Sequence, residues 1–323
     1  MFIKKNHPGS NPPVYNKQCH RRDFNITIIV ELDCMLTKSE LQKTVVEMLS
    51  HAATTLPKDV VQALKLCKTK ETNKIARLQL DTMLRNLELA KKLRAPICQD
   101  TGILIFFVKL GSELGLNFNL SRVLADAVRE ATQKIPLRAN VVDPLSRTNT
   151  GTNVGEGQPI VHIELVRGKG LKIDLIIKGA GAENWSRLFM LKPTAGAETI
   201  KRAVLLTIEE AAGQPCPPTI VGVGIGGSAD VVCLLSKKAL LRPLDLKNPD
   251  KKLARMELEL KNAANELDIG PMGLGGQTTV LGVRIAKAAC HTASLPLAIN
   301  FQCWAARRAS ARLVGDELKV EAP

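Results

Sequence analysis

A mixed α/β architecture, with mixed sheets flanked by helices behind an N-terminal helical segment, is what the sequence predicts. Three observations carry it. Apolar residues recur at helical spacing after Thr37, a continuous apolar run of strand length follows Gly102, and from there to about residue 300 strand-like runs alternate with helical patterns bounded by Gly and Pro. Residues 1–34 are polar and Pro-rich apart from a β-like stretch at Phe24–Leu32. They read as an extension with the composition of a disordered segment, set apart from a domain over 35–323. Thr37 and Glu40 form a capping-box pattern, and Leu41, Val45, Met48 and Leu49 continue one apolar face to the break at Pro57. Two further helices fit Lys58–Cys67 and Glu71–Leu93, the second with Ile75, Leu78, Leu84 and Leu87 on one side. Past Pro96 the pattern changes: Ile103–Val108 reads as a strand and Ser121 as the cap of a helix reaching Lys134. Ile160–Val166 and Leu171–Ile177 read as a strand pair joined by Arg167–Gly170. Helices at Thr194–Ala212 and Ser228–Leu241 flank a strand at Thr219–Val223. A helix over Lys251–Leu267 and strands at Thr279–Ile285 and Pro296–Asn300 complete the pattern.

Composition excludes several classes of function. With 45% apolar and 24% charged residues, the 323-residue chain is neither fibrous nor wholly disordered. Aromatic residues at 3% leave few stacking platforms, so single-stranded nucleic acid is not the expected partner of the net charge of +14. The charge suggests an anionic partner, a surface or a small anionic substrate among them, without identifying it. The densest basic stretch, Lys237 to Arg255, reads as a solvated helix face and loop. No apolar run is long enough for a membrane span and no signal region precedes Met35, so a cytoplasmic protein is expected. Its eight cysteines are then reduced thiols, not a disulfide framework.

Three of these cysteines, Cys98, Cys216 and Cys303, lie in or beside turns where Gly, Pro or polar residues interrupt the periodic pattern. Long stretches of chain separate them, so spacing alone leaves two readings open: metal ligands, or small buried apolar residues. Cys34, Cys67 and Cys233 sit in periodic apolar segments and read as core. Gly222-Val-Gly-Ile-Gly-Gly227 follows a strand and precedes a helix, but its spacing is not a dinucleotide fingerprint. Tight turns and close helix–strand packing are the simpler explanation. His291 lies in a loop between two strands, and Asp100 and Arg138 lie in polar loops; each is either a functional group or a surface residue.

Taken together, these segments resemble the α subunit of two-subunit class I iron–sulfur hydro-lyases, the fumarate hydratase and L(+)-tartrate dehydratase family. The matching motifs run in order from about Met35 to Leu313. They are Cys98-Gln-Asp-Thr-Gly102, Pro136-Leu-Arg138, Asn149-Thr-Gly-Thr-Asn153, Cys216-Pro-Pro218, Val221-Gly-Val-Gly-Ile-Gly-Gly227, Lys237-Lys-Ala-Leu-Leu-Arg-Pro243, Ile269-Gly-Pro-Met-Gly-Leu-Gly-Gly276, His291-Thr-Ala-Ser-Leu-Pro296 and Cys303-Trp-Ala-Ala-Arg-Arg308. The resemblance implies that Cys98, Cys216 and Cys303 hold a [4Fe-4S] cluster whose fourth iron, lacking a protein ligand, acts as a Lewis acid on a small dicarboxylate. It implies Gln99, Arg138, Gly181 and His291 as substrate-binding positions, with Asp100 and His291 in catalysis. Arg138 would pair with a carboxylate.

In the family a Thr from a second domain or β subunit is the general base, oriented by the Asp matching Asp100. Only ten residues follow Leu313, so the chain is expected to form half of an active site and to need a β subunit, as an α2β2 assembly. Gly226-Gly-Ser228 and His291-Thr-Ala-Ser look more like fumarate hydratase, while the Trp of Cys303-Trp-Ala also resembles the tartrate enzyme. Fumarate is therefore the expected substrate and L(+)-tartrate the alternative. Gly179-Ala-Gly181 departs from the family's glycine triplet.

Overall fold

The computed structural model describes residues 36–321. The extension, its Phe24–Leu32 stretch and Cys34 lie outside the described residues. The fold is α/β. Three helices open it: α1 (Lys38–Thr54), α2 (Lys58–Lys70) and α3 (Lys74–Leu93). The expected capping box is present at α1: the Thr37 hydroxyl accepts from the Glu40 N–H at 3.2 Å, and the Glu40 carboxylate accepts from the Thr37 N–H at 2.8 Å.

The burial of α3 differs from the sequence expectation. Asn73 caps it two residues past Glu71, and Ala76, Leu80, Met83 and Ala90 face the core, while Ile75 and Leu78 are 57% and 62% exposed. The helix carries two apolar stripes, and the neighbours choose the one whose small residues allow close approach.

A five-stranded sheet has the order β2 (Ile160–Val166), β1 (Ile103–Gly111), β3 (Leu171–Lys178), β8 (Arg308–Val314) and β9 (Glu317–Val320). The expected β2–β3 pairing does not occur, because β1 lies between them, parallel to β2 and antiparallel to β3. Leu104, Phe106 and Val108 are buried on one face of β1 and Ile105 and Phe107 on the other, which favours a central strand over an edge. The link 167–170 crosses the end of β1, where the Gly111 N–H donates to the Gly170 carbonyl at 2.7 Å and the Glu113 N–H to the Gly168 carbonyl at 3.0 Å. A Cβ on Gly111 would meet the Gly168 oxygen at 2.2 Å, so only glycine admits the crossing. Helix α4 (Leu120–Lys134) is capped by Asn119, not Ser121: the Asn119 Oδ1 accepts from the Arg122 N–H at 3.0 Å. Together α1 and α4 cover one face of this sheet.

The second sheet has the order β4 (Arg187–Leu191), β7 (Leu295–Gln302), β5 (Thr219–Ile225) and β6 (Val280–Lys287). The short helix α5 (Ala180–Glu183) leads from β3 to β4; helices α6 (Gly196–Ala211) and α8 (Lys251–Asn265) pack on one face of this sheet, and α7 (Ala229–Ala239) on the other. A Cβ on Gly222 would meet the Ser236 carbonyl oxygen at 2.1 Å, so this glycine lets α7 lie directly on β5. The Gly226 and Gly227 N–H groups are already spent on the carbonyls of Pro296 and Ala289. These glycines thus serve turns and packing, and the N–H groups of Gly226 and Gly227 are not free for an anion. The core between the sheets holds α2, α3, Ile105, Phe107, Ile220 and Leu281. Among the described residues no helix is long and apolar enough to cross a membrane.

The basic stretch is not a uniformly solvated face. Lys238 pairs with Glu164 at 2.9 Å, Lys237 pairs with Glu183 and Arg242 with Glu257, all on other elements, whereas Lys247, Lys251 and Lys252 are exposed.

Candidate active site

The two sheets meet where β3 and β7 end. There the Gln302 side chain donates to the Ile177 carbonyl at 2.9 Å and the Ile177 N–H donates to the Arg307 carbonyl at 3.1 Å. Three loops converge on this junction: the one entering β1, the one entering β5 and the one leaving β7. Each carries a cysteine.

Cys98 follows α3, where the Ile97 carbonyl accepts from Asn86 Nδ2 at 2.8 Å and the Ile97 N–H donates to the Ala53 carbonyl at 2.9 Å. Cys216 takes a left-handed backbone, φ +56°, a conformation that non-glycine residues keep only when their surroundings enforce it. Here Trp304 N–H donates to the Cys216 carbonyl at 3.1 Å and Met272 N–H to the Pro217 carbonyl at 2.9 Å. Cys303 directly follows β7, and its thiol points at the Ala305 carbonyl, 3.6 Å away. All three are free and half-buried.

The three loops are tied together, by Trp304 N–H to the Cys216 carbonyl and Arg307 to the Asp100 carbonyl, and the thiols are near enough to influence one another's charge. Burial first, then the neighbouring Cys303, Cys98 and Asp100, pushes the Cys216 thiol up. Burial pushes up Cys303 also, with Cys98 adding to the effect and Arg307 and Lys178 opposing it. Among the described residues no three His, Cys, Asp or Glu side chains stand close enough to hold a single metal ion. The thiols therefore converge without enclosing one atom. Cysteine thiols are the donor chemistry of iron–sulfur groups, and cationic iron would relieve the mutual repulsion of three neighbouring thiolates.

Asp100 ties two of the loops together. One carboxylate oxygen accepts from the Gly102 N–H at 3.0 Å and the Asn140 amide at 3.4 Å; the other accepts from the Ala180 N–H at 2.7 Å. Arg138 joins through its backbone: its carbonyl accepts from the Thr101 hydroxyl at 2.7 Å and from Asn153 Nδ2 at 3.1 Å. The Arg138 guanidinium is exposed and forms no ion pair among the described residues. The Gln99 side chain is exposed as well. Gly181 packs on the Cys216 loop, where a Cβ would meet the Gln214 carbonyl oxygen at 2.8 Å.

His291 is not brought to this junction. It lies in the loop leaving β6, and Gly227 N–H holds that loop through the Ala289 carbonyl at the far end of β5 from Cys216. The seven residues of β5 separate the two ends by about 20 Å. The histidine is exposed, and its Nδ1 accepts from the Ala293 N–H at 3.1 Å. Within one chain, then, seven of the eight expected positions come together and His291 does not.

Several residues at the junction carry no role in the sequence reading. Asn140 and Asn153 lace 136–140 to 98–102, with the Asn140 N–H donating to Asn153 Oδ1 at 2.7 Å. Asn153 sits at φ +55° among glycines, a hint that its backbone is special. Lys178 and Arg307 are each 1% exposed, and burial pushes the Lys178 ammonium down to about 8 against the opposing pull of Glu183. Arg307 belongs to the Cys303-Trp-Ala-Ala-Arg-Arg308 motif, which by itself assigns it no function.

These features define an α/β protein whose reactive groups come from three loops gathered at the junction of two mixed sheets. Residues 42–312 match the family model for fumarate hydratase (Fumerase), and the chain belongs to that class I hydro-lyase α-subunit family. Among its relatives, a Methanocaldococcus jannaschii protein provisionally named as an L(+)-tartrate dehydratase subunit alpha is 46% identical over 278 residues, 85% of this chain and 98% of the relative. The L(+)-tartrate dehydratase subunit alpha of Escherichia coli (strain UTI89) is 39% identical over 279 residues, 86% of this chain and 92% of the relative. That of Escherichia coli O157:H7 is 40% identical over 271 residues, 84% and 89% respectively.

Proposed function

We propose that this chain is the α subunit of a [4Fe-4S]-dependent hydro-lyase acting on a four-carbon dicarboxylate, and that Cys98, Cys216 and Cys303 hold the cluster. The convergence of three half-buried thiols from three loops is the observation that carries the reading. Bound there, the cluster would supply an open iron as Lewis acid for loss or addition of a hydroxyl group. The chain's own residues do the rest. The unpaired Arg138 guanidinium beside the Cys98 loop holds a substrate carboxylate in a two-pronged contact. Gln99, exposed next to Cys98, donates its amide to the same substrate, and the backbone at Gly181 lines the pocket. Asp100 is positioned to orient the proton-transferring group of a partner while fixing the two loops.

A β subunit is the proposed partner, in an α2β2 assembly. The relatives support this, being named as alpha subunits and covered over 89–98% of their own length. Fumarate is the first substrate reading, from Gly226-Gly-Ser228 and His291-Thr-Ala-Ser. L(+)-tartrate is the second, favoured by the names of the relatives. Co-expression with the protein encoded beside it, followed by anaerobic assay against fumarate, malate and L(+)-tartrate, tests both. A brown complex that turns over one of these acids is expected, with none from the α chain alone. Turnover by the reconstituted α chain alone would overturn the half-site reading, and a colourless, inactive complex would overturn the hydro-lyase reading.

A further inference from the structure

Two buried cations at the junction, Lys178 and Arg307, are incompletely paired with anions. Lys178, at the end of β3, donates to the Phe301 carbonyl, and the nearest carboxylate oxygen, Glu183 Oε2, stands 3.6 Å away, beyond hydrogen-bond range. The other oxygen of Glu183 is taken by Lys237. Arg307 donates to the Asp100 carbonyl at 2.8 Å, its Nε has no hydrogen-bond partner, and no carboxylate among the described residues lies within ion-pair distance of it. Removing a cation from water without a full counter-charge is costly, and such groups persist where something else supplies the charge. Both cations stand against the cysteine loops: Lys178 bonds the carbonyl of Phe301, two residues before Cys303, and Arg307, four residues after Cys303, bonds the carbonyl of Asp100, two residues after Cys98.

Counted over the junction, the three cations Lys178, Lys237 and Arg307 stand against two carboxylates, Glu183, which lies near both lysines, and Asp100, whose oxygens are taken by the Gly102 and Ala180 N–H groups, leaving one positive charge in excess. An oxidised [4Fe-4S] core with three thiolates carries a charge of about −1. We propose that Lys178 and Arg307 are the built-in counter-charge of the metal centre, positioning residues that hold an anionic thiolate–iron–sulfur assembly at Cys303. This inference rests on the cluster reading above. In the metal-free chain the two cations are a burden, and in the loaded protein they are compensated.

The test uses the full chain, reconstituted anaerobically with iron and sulfide, as wild type, Lys178→Met and Lys178→Arg. Three quantities are read: the melting temperature before loading, the rate of iron loss to a chelator, and the midpoint potential of the cluster by spectroscopic titration. Lys178→Met is expected to melt no lower than wild type when metal-free, since Glu183 keeps Lys237. Once loaded it should lose iron about tenfold faster or more, because a neighbouring charge in a partly dry site is worth at least that factor. Its potential should shift negative, because a cation that favours the extra electron is gone. Lys178→Arg should restore both loaded-state properties. A merely structural lysine predicts the opposite pattern: lower melting with and without metal, and an unshifted potential. That result would overturn the proposal while leaving the cluster reading intact. A wild-type chain that takes up no iron would overturn both.

Discussion

Asp100 is the point at which the geometry makes its sharpest quantitative demand. Its carboxylate accepts two backbone N–H groups, from Gly102 at 3.0 Å and Ala180 at 2.7 Å, and so clamps the Cys98 loop to the turn after β3. Hydrogen bonds to a charged acceptor are worth about 1.5–3 kcal/mol each. Asp100→Asn keeps one acceptor oxygen and turns an NH2 group toward one of the two donors. Gly102 is buried and Ala180 exposed, so the amide oxygen should keep Gly102, and water should take over at Ala180. The cost then falls at the low end, about 1.5–2 kcal/mol. Asp100→Ala loses both bonds and leaves the buried Gly102 N–H unpaired, at about 3–5 kcal/mol. At about 2 °C per kcal/mol for a unit of this size, melting of the metal-free protein should fall by roughly 3–4 °C in the first variant and 6–10 °C in the second. Differential scanning calorimetry reads both. An alanine variant melting within about 1 °C of wild type, or above the asparagine variant, would refute the clamp.

The remaining expectations concern residues of contrasting exposure. Arg138→Ala, in the complex with its β partner, should keep its iron and melting temperature but lose roughly 30-fold or more in kcat/KM, since a charged substrate contact is worth about 2–5 kcal/mol; near-normal kinetics would remove Arg138 from the site. His162, half-buried and stacked on Phe107 with ring centroids 5.2 Å apart, titrates below its ordinary 6.5 because of burial first and then Lys238 and Lys237. The folded state therefore binds fewer protons than the unfolded chain just below pH 6.5, so His162 contributes stability above that value that is lost on acidification. Chemical denaturation from pH 7 to 5 should show wild type losing stability faster than His162→Gln, and parallel losses would contradict the assignment.

What could be read from the sequence was local. The capping box at Thr37 and the apolar run of β1 are written in residues a few positions apart, and the packing role of Gly222 concerns the helix that directly follows its own strand. What could not be read depends on partners distant in sequence. The link 167–170 looks like a hairpin because nothing within 160–178 records that β1 will lie between its strands. Helix α3 offers Ile75 and Leu78 or Ala76, Leu80 and Met83, and only the opposing core selects. Asn119 and Ser121 are both competent caps two residues apart. At the site, turns marked Cys98, Cys216 and Cys303 as unusual, but their convergence is a property of the sheet junction, and only the ordered motifs anticipated it. Those motifs also attached His291 to a pocket that, within this chain, it does not reach. Lys178 and Arg307 escaped attention because a charged residue gains meaning only once its burial is known.

The three thiols carry the proposed metal centre most directly. Cys98→Ser, Cys216→Ser and Cys303→Ser, each reconstituted anaerobically beside wild type, Cys67→Ser and Cys233→Ser, should be compared by iron content and by absorbance at about 400 nm, where an iron–sulfur centre is coloured. Wild type and the two control variants are predicted to be brown, with about four irons per chain, and the first three to be colourless. Full iron and an unchanged spectrum in any one of those three would contradict the ligand set, and with it the central claim.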